Sequence, residues 1–245
     1  MDDMPRITLA GGERAGPTLV CLPGAMCSPH VFAGMARLSG FPALALAWLE
    51  DDGPHDLVSI AARVSRAITD LPSVILVGHS MGTPIAMLTA LQEAESGGSR
   101  IHGLVLSNSG ANTRGHGDIA ALIDRIRHDW NASFWDAFIA RCFHTPPSQP
   151  LLEQARRYPG RLRQQAVIDV LSSQQEMDFL PLLARLSGTP VAVIHGRHDP
   201  ARTIGHAREL ADGIAGAQLH VFDTGHTSCA EDPGRFAEVL RETFG

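Results

Sequence analysis

Apolar residues follow two alternating rhythms along this chain. Short runs without polar alternation recur at Thr18-Leu19-Val20-Cys21-Leu22, Val74-Ile75-Leu76-Val77, Gly103-Leu104-Val105-Leu106 and Val191-Ala192-Val193-Ile194. Such runs read as strands covered on both faces. Ile7-Thr8-Leu9, Pro42 to Trp48 and Gln218 to Phe222 add three further strand candidates. Between them the spacing becomes helical. Leu57, Ile60, Ala61, Val64, Ile68 and Leu71 share one face of a helix predicted from Leu57 to Leu71. Pro84 to Leu91, Ile204 to Ile214 and Pro233 to Thr243 read the same way, and Pro84 falls in a first turn, where its missing N–H costs little. Strands and helices alternating at this pace predict an α/β fold, a mostly parallel sheet flanked by helices on both faces.

The rhythm breaks after Ser109. From Asn112 to Ser187 the pattern is helical, interrupted by prolines and without a strand. That stretch carries seven of the chain's 13 aromatic residues (Trp130, Phe134, Trp135, Phe138, Phe143, Tyr158 and Phe179), far more than its share of the length. The expected organisation is a core of residues 1–111 and 188–245 with residues 112–187 inserted as a helical cap. Rings turned toward the sheet's carboxyl edge would make an apolar pocket there; packed on one another, they would only join the cap's helices.

Composition narrows the class. A chain of 245 residues suits one α/β unit. A net charge of −6 argues against a nucleic-acid or anionic-membrane surface, which leaves a small molecule as the expected partner. No apolar run approaches the ~18 residues that span a bilayer. The start, Met1-Asp2-Asp3-Met4-Pro5, lacks the basic and apolar regions of a signal peptide. Cys21, Cys27, Cys142 and Cys229 form no CxxC pair, so free thiols in a reducing cytoplasm are expected. No isolated apolar face declares an oligomeric state.

The chemistry centres on Gly78-His79-Ser80-Met81-Gly82, a G-x-S-x-G pentapeptide. In a chain with 24 glycines the pattern alone is weak; its setting between the Val74–Val77 strand and the Pro84 helix makes it specific. A serine at so sharp a strand-to-helix turn occupies a strained backbone and needs glycine neighbours, and the first N–H groups of the helix point where its oxygen attacks. A hydroxyl of this kind needs a base. Two strand ends supply candidates: Val191–Ile194 leads into His195-Gly196-Arg197-His198-Asp199-Pro200, and Leu219–Phe222 leads into Asp223-Thr224-Gly225-His226-Thr227-Ser228. Parallel strands deliver all three loops to one edge.

Through L-P-G-A-M, V-G-H-S-M-G, H-G-R-H-D-P and D-T-G-H-T-S-C-A-E-D-P-G-R-F, the chain resembles the α/β-hydrolase superfamily over about residues 18–110 and 188–245. The resemblance implies Ser80 as nucleophile, His226 as general base and then acid, and Asp199 as the group that orients the imidazole. It also implies an oxyanion hole from the backbone N–H groups of Ala25 and Met81, with no cofactor and no metal. The implied activity is hydrolysis of a carboxylic ester, lactone or thioester of a small, largely apolar acid. Cleavage of a C–C bond, or a lyase reaction, is the alternative that the same residues support, and Arg141 or Arg185 in the cap would favour it by holding a second carboxylate. A ligand sensor without turnover is the third.

Three departures from the superfamily's pattern stand out: Pro23 where many relatives carry a histidine, Thr83 where a second glycine usually follows the elbow, and a short N-terminal lead that predicts a missing or stunted early strand. Asp223, three residues before His226, is a weaker candidate for the acid because it is expected to face away. His79 and His198 read as loop residues, and Cys229 as a modest candidate for pocket lining. His195, His198, Asp199, His226 and Cys229 match no standard zinc spacing.

Overall fold

The computed structural model describes residues 4–13 and 16–245; residues 1–3, part of the start read above for a signal peptide, lie outside the described residues. Among the described residues, seven strands form one sheet: β1 (Arg6–Ala10), β2 (Thr18–Leu22), β3 (Ala43–Leu46), β4 (Val74–His79), β5 (Ile101–Ser107), β6 (Val191–Gly196) and β7 (Gln218–Phe222). Their order across the sheet is β1-β3-β2-β4-β5-β6-β7. Among the described residues the N-terminal lead supplies one strand, β1, an edge strand antiparallel to β3; every other pairing is parallel. The chain steps outward from β2 to β3 and then crosses back to β4. This reversal puts a crevice beyond the carboxyl ends of β2 and β4, the position where open α/β sheets bind ligands.

Ten α-helices accompany the sheet among the described residues: α1 (Ala33–Ser39), α2 (Leu57–Ala67), α3 (Gly82–Glu95), α4 (Ile119–His128), α5 (Ala132–Arg141), α6 (Gln149–Arg157), α7 (Gln164–Gln175), α8 (Ile204–Gly213), α9 (Ser228–Glu231) and α10 (Pro233–Phe244). The apolar strands are divided between two cores by their twofold period. Val20, Leu22, Val74 and Leu76 face one way, packing with the α2, α3 and α8 side, while Leu19, Cys21, Ile75 and Val77 face α1 and α10. Both faces are covered, which is why these strands show no polar alternation.

The predicted helix from Leu57 stops at Ala67, four residues short. Pro72 disfavours helical geometry at Leu71, and Thr69 and Leu71 close turns onto Arg66 and Ile68 instead. Helix α3 extends beyond its predicted range and is buried almost all round. One side rests on the sheet, and the helices inserted between β5 and β6 join the same core.

That insertion comprises α4 to α7 and two 3-10 segments, Tyr158–Arg161 and Leu180–Leu186, with no strand among the described residues. Asp118 and Asn131 cap α4 and α5 by accepting from Ala121 N and Phe134 N. Most of its aromatic rings pack on each other: Trp130 lies 5.4 Å from Trp135 and 6.3 Å from Phe134, and Phe134 lies 6.4 Å from Phe138. Tyr158 and Phe179 are buried in the core. Of the seven rings, only Phe138 lines the main cavity at the sheet's carboxyl edge, so the rings chiefly join the insertion's own helices. Among the described residues, no helix is long and apolar enough to cross a membrane.

Candidate active site

Three strand ends carry residues that violate ordinary backbone preferences. Met26 after β2, Ser80 after β4 and Asn108 after β5 adopt φ of 59°, 53° and 51°, a left-handed region that side chains normally avoid. At Ser80 the cause is the turn itself. The chain reverses from β4 into α3 within two residues, with Ser80 N–H donating to Ser107 O and Thr83 N–H to Ser80 O. A Cβ at Gly78 would lie 2.5 Å from Gly82 O, and one at Gly82 would lie 1.8 Å from Leu22 O, so neither position admits a side chain. Thr83 is accommodated because its hydroxyl donates to Gly78 O at 3.1 Å.

The loop after β6 brings Asp199, and the loop after β7 brings His226, to this turn. His226 Nε2 lies 2.9 Å from Ser80 Oγ, and His226 Nδ1 lies 2.8 Å from Asp199 Oδ2. The Asp199 side chain is fully buried. Burial alone would raise its pKa, but the contact with His226, the Ala201 N–H and the Asn108 carboxamide hold it well below the usual carboxylate range. An ionised carboxylate only accepts, so Nδ1 carries the imidazole proton and leaves Nε2 free to accept from the serine. His79 packs 5.1 Å behind the His226 ring, and burial pushes its pKa down to about 3, which keeps it neutral.

Ala25 and Met81 line the same cavity as Ser80 and His226. Among the described residues neither of their N–H groups is spent on another partner. Met81 immediately precedes α3, so its N–H adds to the positive end of that helix. Pro23 keeps its loop in place through its carbonyl, which accepts from Trp48 Nε1 at 3.0 Å. A Cβ at Gly24 would lie 3.0 Å from Ser80 Cβ, so glycine lets this loop approach the serine.

The remaining sequence candidates are dispersed. Asp223 is exposed and pairs with His198 at 3.0 Å, away from His226. Cys229 is buried in the core on the α1 and α10 side, not in the cavity; Cys142 takes the lining position expected for it. Arg185 pairs with Glu95 at 2.6 Å on the surface, so it holds nothing in the cavity, whereas Arg141 does line it. Among the described residues, no group of three His, Cys, Asp or Glu side chains is placed to hold a metal ion.

Two residues the sequence did not single out organise the site. Asn108 donates from Nδ2 to Asp199 Oδ2 at 3.2 Å and to Gly225 O at 3.1 Å, joining the two loops. The Glu231 carboxylate accepts from the N–H groups of Gly225, His144 and Thr145, tying the His226 loop to the insertion. A lone asparagine after a strand carries no motif, and Glu231 lies within D-T-G-H-T-S-C-A-E-D-P-G-R-F, where nothing local assigns it a role.

The cavity above Ser80 has a volume of about 330 Å³, within the range of small-molecule sites. Its floor is formed by loops of the sheet edge, and Leu122, Phe138 and Leu171 contribute apolar walls from the insertion.

A family model described as "Alpha/beta hydrolase family" matches residues 19–239. Comparison with curated proteins found no match. Among solved structures, the chain is similar to an esterase (EaEST) from Exiguobacterium antarcticum, with a TM-score of 0.83 and 21% identity over 98% of this chain and 93% of that one. It is also similar to an enol-lactonase from Burkholderia xenovorans LB400, with a TM-score of 0.80 and 21% identity over 98% and 95% of the two chains. A hydrolase from Pseudomonas aeruginosa PA01 gives 0.80 and 23% over 94% and 90%. The family match spans most of the sequence, and the sheet order and elbow agree with it: this chain is a hydrolase belonging to the alpha/beta hydrolase family.

Proposed function

We propose that this hydrolase cleaves a carboxylic ester, lactone or thioester of a small acid through a Ser80-His226-Asp199 triad and an acyl-enzyme. The observation that carries the reading is the unbroken hydrogen-bonded line from Ser80 Oγ through His226 to buried Asp199, beside two unspent amides. Ser80 Oγ attacks the carbonyl carbon as its proton passes to His226 Nε2. The oxyanion accepts from the N–H groups of Ala25 and Met81. The imidazolium, stabilised by Asp199, gives its proton to the leaving oxygen or sulfur, and the acyl–leaving-group bond breaks. Water then attacks the acyl-serine, gives its proton to His226, and the acid departs as Ser80 is reprotonated. This sequence uses no cofactor or metal.

Residues 112–187 act as the cap, excluding water from the cavity and setting substrate shape. The four unpaired cysteines support a reducing compartment such as the cytoplasm. Arg141 on the cavity wall also favours a second reading, C–C bond hydrolysis by the same triad, which product analysis distinguishes from ester cleavage.

The test is turnover of p-nitrophenyl butyrate by wild type and Ser80→Ala. The variant is expected to lose about 10⁴-fold or more in kcat while unfolding at the wild-type temperature. A folded variant with near-wild-type turnover overturns the assignment.

A further inference from the structure

His116 and Arg202 are polar side chains on the cavity wall that the proposed reaction does not use. His116 is only 7% exposed, and neither of its ring nitrogens has a hydrogen-bond partner among the described residues. Burial, followed by the charges of Arg202 and His206, pushes its pKa down to about 3, so the ring is neutral and offers one N–H. Arg202 spends Nη1 on Ala201 O at 2.9 Å. Its Nε is buried without a partner, and Nη2 has none among the described residues. Nε and Nη2 form the edge of a guanidinium that matches the two oxygens of a carboxylate. Buried donors left in this way are costly unless a ligand satisfies them.

The fold builds this pair deliberately close to Ser80. Arg202 follows Asp199 by three residues, in the turn that leads to α8. His116 lies in the loop after β5, where Gly115 adopts φ +71°. His206 clamps the two loops together: its Nε2–H donates to Arg114 O at 2.9 Å, and its Nδ1 accepts from Thr203 N–H at 3.0 Å. Its ring meets that of His116 edge-on at 4.5 Å. A Cβ on Gly110 would lie 3.2 Å from His116 Nε2, so the glycine leaves room for the ring.

The charge around the cavity points the same way. Although the chain's net charge is −6, the cavity wall carries Arg125, Arg141 and Arg202 against the single acid Asp118. Asp118 is occupied in capping α4, and none of the three arginines has an ion-pair partner among the described residues. Asp199, whose charge Arg202 feels, is turned to His226.

We infer that His116 and Arg202 form a carboxylate subsite, so that the substrate is an ester, lactone or thioester of an acid bearing a second, ionised carboxylate. This subsite assumes the ester-cleavage reading above for the position of the scissile carbonyl at Ser80. The second carboxylate accepts two parallel bonds from Arg202 and one from His116, which fixes the acyl chain across the cavity.

The experiment compares kcat/KM for monomethyl glutarate and monomethyl adipate with methyl pentanoate and methyl hexanoate, followed by proton release. Wild type is expected to prefer the hemiesters by about 10-fold or more, and Arg202→Met and His116→Leu each to lower that ratio about 10-fold, with Arg202→Lys recovering part of it. Isothermal titration of Ser80→Ala with glutarate and adipate reads the subsite without turnover, and the His116 ring ¹⁵N shifts on adding them need no further substitution. Binding with His116 shifts supports the subsite even if wild type cleaves no ester, an outcome that sinks only the ester-cleavage reading. Turnover of neutral esters with no hemiester preference and no dicarboxylate binding overturns the subsite alone. A preference that survives Arg202→Met and His116→Leu but disappears in Arg125→Met or Arg141→Met also overturns it.

Discussion

Gly82→Ala is the smallest change that tests whether the elbow positions the reacting groups. A Cβ there would lie 1.8 Å from Leu22 O and 2.6 Å from Leu22 C. Both are backbone atoms of β2, a strand locked between β3 and β4, so neither can swing aside. Real Cβ atoms essentially never come within 3.0 Å of such atoms, so α3 and β2 must part by at least 1.2 Å, the difference between 3.0 and 1.8 Å. Ala25 follows β2 and Met81 precedes α3, so this separation opens the gap between the two amides proposed to hold the oxyanion. A 1 Å misplacement of reacting groups costs about 100-fold in rate, and overpacking of this kind costs about 1–3 kcal/mol or more in stability. The assay is kcat for p-nitrophenyl butyrate together with the urea midpoint, and Gly11→Ala serves as control because its Cβ meets nothing within 4 Å. Gly82→Ala at wild-type rate and stability refutes the close-approach reasoning.

Asn108→Ala removes the bonds to Asp199 and Gly225 and leaves alanine at φ 51°, so kcat is expected to fall about 10-fold and stability by about 1–2 kcal/mol; Asn108→Gly relieves the backbone but not the lost bonds, and equal kcat in all three proteins would exclude the bridging role. Glu231→Ala leaves the amides of Gly225, His144 and Thr145 without their acceptor, and chemical denaturation is expected to show a loss of about 1.5–3 kcal/mol; an unchanged midpoint counts against the tie. Asp51 contacts Arg63 Nε at 2.8 Å and His55 Nε2 at 3.1 Å with its side chain 2% exposed. Burial pushes its pKa up, but these partners outweigh it and hold the carboxyl below its ordinary value of 3.8. A pKa depressed by folding stabilises fully above the unfolded value and stops doing so as pH falls through the folded one. The Tm difference between wild type and Asp51→Asn should therefore be greatest above pH about 4 and close on acidification; a gap that widens in acid contradicts the sign.

Local pattern was enough for the strands, the insertion and the turn at Ser80, because each depends on neighbours in sequence. Apolar runs covered on both faces declare a parallel sheet, and a serine between two glycines at a strand-to-helix junction declares its own geometry. Helix lengths needed more than periodicity: Pro72, a local signal, ended the Leu57 helix early, while tertiary packing against the core beneath the insertion carried α3 past its predicted limits. The aromatic content of the insertion was plain from the sequence, but its direction was not, because a ring buries as much area against a neighbouring helix as against a pocket. The same limit hid Asn108, Glu231, His116 and Arg202. Three are ordinary polar residues in loops and Glu231 ends the short helix α9, and each matters through a partner supplied by, or a cavity shared with, a segment distant in sequence. Residue order could place Ser80, Asp199 and His226 on one edge of a sheet; the 2.9 and 2.8 Å contacts that join them exist only once the parallel strands have brought their loops together. Periodicity is a property of the chain, whereas the satisfaction of buried polar groups is a property of the packed fold.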